Sequence, residues 1–267
     1  MTGSALTRIA LRIATAAVLA FIYVPLGIIV LYAFSEARAL AWPIAGFTLD
    51  WWGRALADPG FWEALGTSLQ AAAGATAIAL VLGSLAALAV QRYRFFGRET
   101  ISFVVILPIA LPGIVTGMAL NSTFTSLGFG LSMFTIIVGH ATFCVVLVYN
   151  NVIARLRRSS RSIEEASMDL GADTWQTFRY VTFPVVRTAL LAGGLLAFAL
   201  SFDEVIVTTF TTGGQRTVPI YILNLLQRDP SPVVNVVAVI VIALSTIPVY
   251  IATRLTGETG AVAGGRA

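Results

Sequence analysis

Two acidic side chains, Asp203 and Glu204, stand in a stretch that is otherwise uncharged from Thr188 to Phe210. A charge held in hydrocarbon costs about 3 kcal/mol on insertion scales, so a carboxylate there needs a reason. One reason is to attract a cation. With Phe202 and the hydroxyls of Thr208 and Thr209 nearby, the pair offers an electrostatic and cation–π foothold for an organic polycation. The other is an interhelical salt bridge or hydrogen bond that fixes packing. Adjacent helical residues point about 100° apart, so both carboxylates cannot face one pore equally. His140 and Cys144 are the only histidine and cysteine. Neither can build a multi-ligand metal site, and Cys144 cannot form an internal disulfide. His140 reads as a hydrogen-bonded packing side chain or as a step in a proton relay, and Cys144 as a small hydrophobe. All 17 basic residues are Arg. A phosphate loop of the Walker type needs Lys, so this chain carries none, and ATP used here would be bound by another subunit.

The elements that hold these residues are set by composition. A chain that is 57% hydrophobic and 11% charged cannot cover a water-exposed surface, but it suits a bilayer. Long continuously apolar runs indicate helices rather than the alternating strands of a barrel. They predict an all-α integral membrane domain, residues 1–267, with spans near Ile9–Phe34, Leu65–Val90, Ile101–Ser122, Leu131–Ile153, Thr188–Phe210 and Val233–Thr253, each about 20 residues. The first run follows Arg8 as a signal sequence would, but its length predicts a retained span. The third contains Pro108, Pro112, Gly113 and Gly117 and is expected to bend, either lining a pathway or simply packing closely. Trp51, Trp52 and Trp62 fit an interfacial aromatic belt or a re-entrant segment.

Arginine marks the sides. Arg8 and Arg12, Arg92 to Arg98, the Arg155–Arg187 loop, Arg254 and Arg266 fall on one face; Arg38, Arg54, Arg216 and Arg228 fall on the other. The positive-inside rule puts the first group, and both termini, in the cytoplasm. The net charge of +4 is therefore topological and does not form a nucleic-acid-binding patch.

The 155–187 loop has helical periodicity. Ile163, Ala166 and Leu170 share one apolar face; Gly171 interrupts; Trp175, Phe178 and Val181 or Thr182 resume before Pro184. Two short helices around a glycine turn follow, with Ser162 and Glu165 as an N-terminal capping box and Glu164 and Glu165 suiting the helix dipole. Such a helix either lies on the lipid surface or docks in a groove on a cytoplasmic partner.

The string Glu165-Ala166-Ser167, then Gly171 after three residues, then Val181-Thr182-Phe183-Pro184 after nine, resembles the EAA loop of binding-protein-dependent ABC importer permeases, E-A-A, three residues, G, nine residues, I-x-L-P. Ser167 replaces the second Ala, and Val181 and Phe183 are conservative changes. Arg92-Tyr93-Arg94-Phe95, His140-Ala141-Thr142-Phe143-Cys144, Ser201-Phe202-Asp203-Glu204-Val205 and Ser231-Pro232-Val233-Val234-Asn235 extend the resemblance to the second permease subunit of spermidine/putrescine importers. The resemblance implies a type I importer fold with a cytoplasmic coupling helix, in the bacterial inner membrane. It implies a partner permease, a periplasmic or extracellular solute-binding protein, and an ATPase dimer that holds ATP and Mg and grips Ile163, Glu165, Ala166, Ser167, Asp169, Leu170 and Gly171. No catalytic residue, metal or cofactor is expected on this chain. Polyamine-carrying relatives often have an acid after the second proline of span three, where this chain has Gly113, which leaves an amino-acid-derived or opine-like cargo as an alternative. Two rivals come from other classes. An intramembrane serine protease lacks its G-x-S-G nucleophile motif here, and an ion-coupled secondary transporter would show inverted repeats and no need for a docking helix.

Overall fold

The computed structural model describes residues 5–39, 41–228 and 230–246. Their regular structure is helical apart from one antiparallel bridge, Ser35 to Phe47. In order they form α1 (Ala5–Tyr32), α2 (Asp50–Ala57), α3 (Pro59–Arg92), α4 (Arg98–Ala110), α5 (Gly113–Ser126), α6 (Met133–Arg157), α7 (Ser162–Asp169), α8 (Thr174–Thr177), a π-helical turn (Phe178–Thr182), α9 (Phe183–Phe202), α10 (Ile206–Thr211) and α11 (Val218–Arg228), then α12 (Val233–Thr246). Among the described residues four stretches are long and apolar enough to cross a membrane: α1, α3, α6 and the run from α8 through α9. The bent pair α4–α5 makes a fifth if counted as one span. The sixth expected span is represented by α12; residues 247–253, with Arg254 and Arg266, lie outside the described residues.

Two spans depart from expectation. The third is two helices meeting at 107° rather than one bent helix. Pro112 has no N–H to offer the carbonyl four residues back, and its ring excludes helical geometry from Leu111, which sits extended at φ −84°, ψ 144°. The fifth stops at Phe202; Asp203 to Val205 break the chain before α10 begins.

The described residues fall into two units, 5–61 with 222–244 and 62–221 with 245–246. In the first, the Trp51 and Trp52 indoles donate to the carbonyls of Ser35 (2.8 Å) and Ala33 (3.1 Å). They pin the loop after α1, and Trp51 is buried instead of facing an interface as a belt residue would.

The second unit is built on α3, α6 and α9. Small residues bring the three backbones together. A Cβ on Gly83 of α3 would lie 2.8 Å from the Val145 carbonyl of α6, and one on Gly193 of α9 would lie 3.0 Å from the Val148 Cα. Ala75, Ala79, Val148, Val152, Leu156, Val186 and Ala197 fill the seam. On the flank, Tyr149 of α6 donates to Ser102 of α4 at 3.0 Å. α10 packs against both α5 and α6, because Gly117 admits the Phe210 ring and Gly139 admits Val207 and Thr211. Asn121 fixes the first contact, donating to the Phe210 carbonyl, and Thr135 the second, donating to that of Thr211 (2.7 Å).

Candidate functional site

Two places that hold residues singled out in the sequence combine charge with irregular backbone: the break between α9 and α10, and the connection from α6 to α9.

At the break the two carboxylates part company. Glu204 is half-buried and turns back onto α10, where its Oε1 accepts the Val207 N–H at 2.9 Å. A carboxylate there satisfies an orphan amide and meets the positive end of the helix dipole. Asp203 is exposed, and its side chain has no hydrogen-bond or ion-pair partner among the described residues. Phe202 is buried and stacks on Phe198, ring centroids 6.1 Å apart, so its face is engaged within the chain. Thr208 is fully buried, while Thr209 is exposed and donates to the Val205 carbonyl. The four residues singled out in sequence therefore lie together, but only Asp203 is open to a visitor.

His140 organises the break. Fully buried on α6, it contacts Ser201 Oγ through Nδ1 and Thr208 Oγ1 through Nε2, both at 2.7 Å. The Thr208 hydroxyl donates its only proton to the Glu204 carbonyl, 2.7 Å away. It must therefore accept from His140 Nε2–H, and in a neutral ring Nδ1 then accepts from the Ser201 hydroxyl. One neutral imidazole thus holds the end of α9 and the body of α10, which matches the packing reading better than a relay. Cys144, one turn on, is buried and donates to the Ala197 carbonyl.

The α6–α9 connection contains two short helices and a glycine turn. α7 ends in a Schellman motif: Ala172 N–H donates to the Ser167 carbonyl and Gly171 N–H to that of Met168, with Gly171 at φ +91°. The expected Ser162–Glu165 capping box does not form. Arg161 occupies the cap position, Ser162 N–H donates to Ser160 Oγ, and Glu165 pairs with Arg161 at 3.1 Å instead. A capping box does open α8, between Asp173 and Gln176. Pro184 explains the π turn: α-helical geometry would press its ring on the Tyr180 carbonyl, and the wider turn carries Phe183 N–H back to the Phe178 carbonyl.

No residue of α7 is buried. Ile163 is half-exposed, Ala166 and Asp169 are exposed, and Leu170 is 89% exposed; Ser167 lies 3.3 Å from the Thr177 hydroxyl. What ties α7 inward is Glu164, a residue the sequence placed only near a helix dipole. Its Oε1 accepts from Arg92 Nη2 at 2.7 Å and from Thr182 Oγ1 at 2.9 Å. Arg92 lies 72 residues away, and no local spacing rule reaches that far.

The family model described as binding-protein-dependent transport system inner membrane component matches residues 79–257. The putrescine transport system permease protein PotI of Escherichia coli K12 is 34% identical over 244 residues, 88% of this chain and 86% of its own. The spermidine/putrescine transport system permease protein PotC of the same strain is 33% identical over 254 residues, 92% and 95%. Among solved structures, a bacterial alginate ABC transporter in complex with its alginate-bound periplasmic protein superposes with TM-score 0.74 at 15% identity, covering 95% of this chain and 94% of the other.

Proposed function

This chain belongs to the binding-protein-dependent transport system inner membrane components, and from that premise we propose that it imports a polyamine or closely related organic amine. Two relatives that are a third identical over most of the chain are permeases named for putrescine and spermidine. In this reading it shares the pathway with a second homologous permease and receives cargo from a solute-binding protein outside. An ATPase dimer, carrying ATP and Mg, drives it from the cytoplasm. The Arg-rich α6–α9 connection faces inward, as the positive-inside rule requires.

The observation that carries the cargo assignment is the division between the two acids. Glu204 is held by α10, whereas Asp203 is exposed where the helix breaks. From Arg187 to Asp203 is roughly 24 Å of helix, which sets the carboxylate in the outer half of the bilayer. A single carboxylate attracts an ammonium group without trapping it, which a carrier needs in order to release. At the inner end, Ile163, Ala166 and Leu170 offer apolar anchors to an ATPase groove. Closure of the ATPase dimer then moves α7 and the attached helices, so that access alternates between the two sides.

Asp203→Asn in the whole importer, reconstituted in proteoliposomes, tests the assignment. Uptake of labelled putrescine or spermidine should fall roughly tenfold, equivalent to about 1.4 kcal/mol, with assembly unchanged. Unaltered uptake kinetics would remove Asp203 from the pathway.

A further inference from the structure

α7 presents a mechanical problem. A helix with no buried residue, whose Ile163 and Met168 remain about half exposed, has only a weak apolar grip on what it packs against, so a push delivered to it would be partly absorbed as rotation unless something stiff connects it to the spans. Among the described residues its polar links are few. Arg161 Nη1 donates to the Arg92 carbonyl at a long 3.3 Å, and Ser167 reaches Thr177 at 3.3 Å. Glu164 is different in kind. One oxygen, Oε1, takes a charge-assisted bond from Arg92, the last residue of α3, and a second bond from Thr182, the residue immediately before α9. Both charged side chains are largely shielded, 11% and 14% exposed. In that shielded setting the pair is short, directional and costly to break, because either partner left alone is a charge with little water to compensate it.

We infer that Glu164 is a positioning residue for transport, the joint through which displacement of α7 reaches α3 and α9 together. The inference rests on the docking of α7 to an ATPase proposed above. It assigns Glu164 a role distinct from that of its neighbour Glu165, which is exposed and, among the described residues, paired only with Arg161 one turn back. Glu165 faces outward for a partner; Glu164 faces inward for the spans. Thr182 is the second half of the joint, since it makes the π turn at the foot of α9 follow the same oxygen.

The test measures ATP hydrolysis and labelled amine uptake side by side in proteoliposomes containing the whole importer and its binding protein. Glu164→Gln should leave ATPase capture at the wild-type level but raise the ATP hydrolysed per substrate imported by about tenfold. Exchanging the charges, Arg92→Glu with Glu164→Arg, should recover much of the loss. A purely structural role would lower the amount of assembled importer and leave that ratio unchanged. Thr182→Val removes one bond and keeps the ion pair, so it serves where Glu164→Gln fails to assemble, with a rise of about threefold expected. A wild-type ratio in either assembled variant overturns the inference while the docking reading stands. Failure of the wild-type chain to capture an ATPase overturns both.

Discussion

At the residue scale, the account turns on how three polar side chains divide their bonds at the α9–α10 break. His140 has no freedom left, with a hydroxyl on each ring nitrogen. His140→Leu leaves the buried Ser201 hydroxyl without its ring partner and takes from the buried Thr208 oxygen the proton it accepts, while Thr208 keeps its bond to the Glu204 carbonyl. It should lower the stability of the purified chain in detergent by about 1–3 kcal/mol, read as a lower thermal midpoint, whereas unchanged stability would mean the two contacts are worth nothing net. The acidic pair was legible in the sequence because carboxylates are conspicuous in an apolar run. Which of the two is available was not. The 100° between adjacent helical residues says that the two point apart but not which one is free, and that is decided where α9 ends at Phe202 and Glu204 folds onto the new amino terminus. Phe202 and Thr208 do stand beside the pair, but the ring that would offer a cation–π face stacks on Phe198 and the hydroxyl that would meet a cargo is buried.

At the element scale, glycine and proline account for both the successes and the misses of sequence reading. Gly171 as the stop of α7 was visible from the periodicity, and its left-handed φ of +91° explains why a glycine stands there. A Cβ at Gly171 would meet nothing within 4 Å, so Gly171→Ala is a test of backbone conformation alone. The strain, about 1 kcal/mol, should weaken ATPase binding roughly fivefold in a titration, and Gly171→Asn, better tolerated in the left-handed region, should weaken it less. Equal affinity for all three would show that the shape of the turn is irrelevant to docking. The prolines of the third span announced a bend but not its 107°; the size of that angle comes from Leu111 being driven extended by Pro112. The break after Phe202 had no proline or glycine to announce it. Tertiary contacts supply the reason, since Gly117 and Gly139 let α10 pack close to two helices at once.

At the scale of the whole molecule, the hydropathy pattern was enough for a helical membrane domain, and the resemblance of the string from Glu165 through Gly171 to Pro184 to the EAA loop was enough to point to the family. The joint at Glu164 was beyond reach, because a contact between residues 92 and 164 leaves no local periodicity. The account's central claim is that α7 is the seat of an ATPase on another polypeptide. Its most direct test is to purify the tagged chain with its partner permease from membranes that also contain the cognate ATPase, as wild type and as Glu165→Lys. The account predicts that the wild-type complex retains the ATPase and takes up labelled amine only with ATP present, and that Glu165→Lys loses both while the permease pair stays assembled. Uptake by the permeases with no ATPase bound would contradict it.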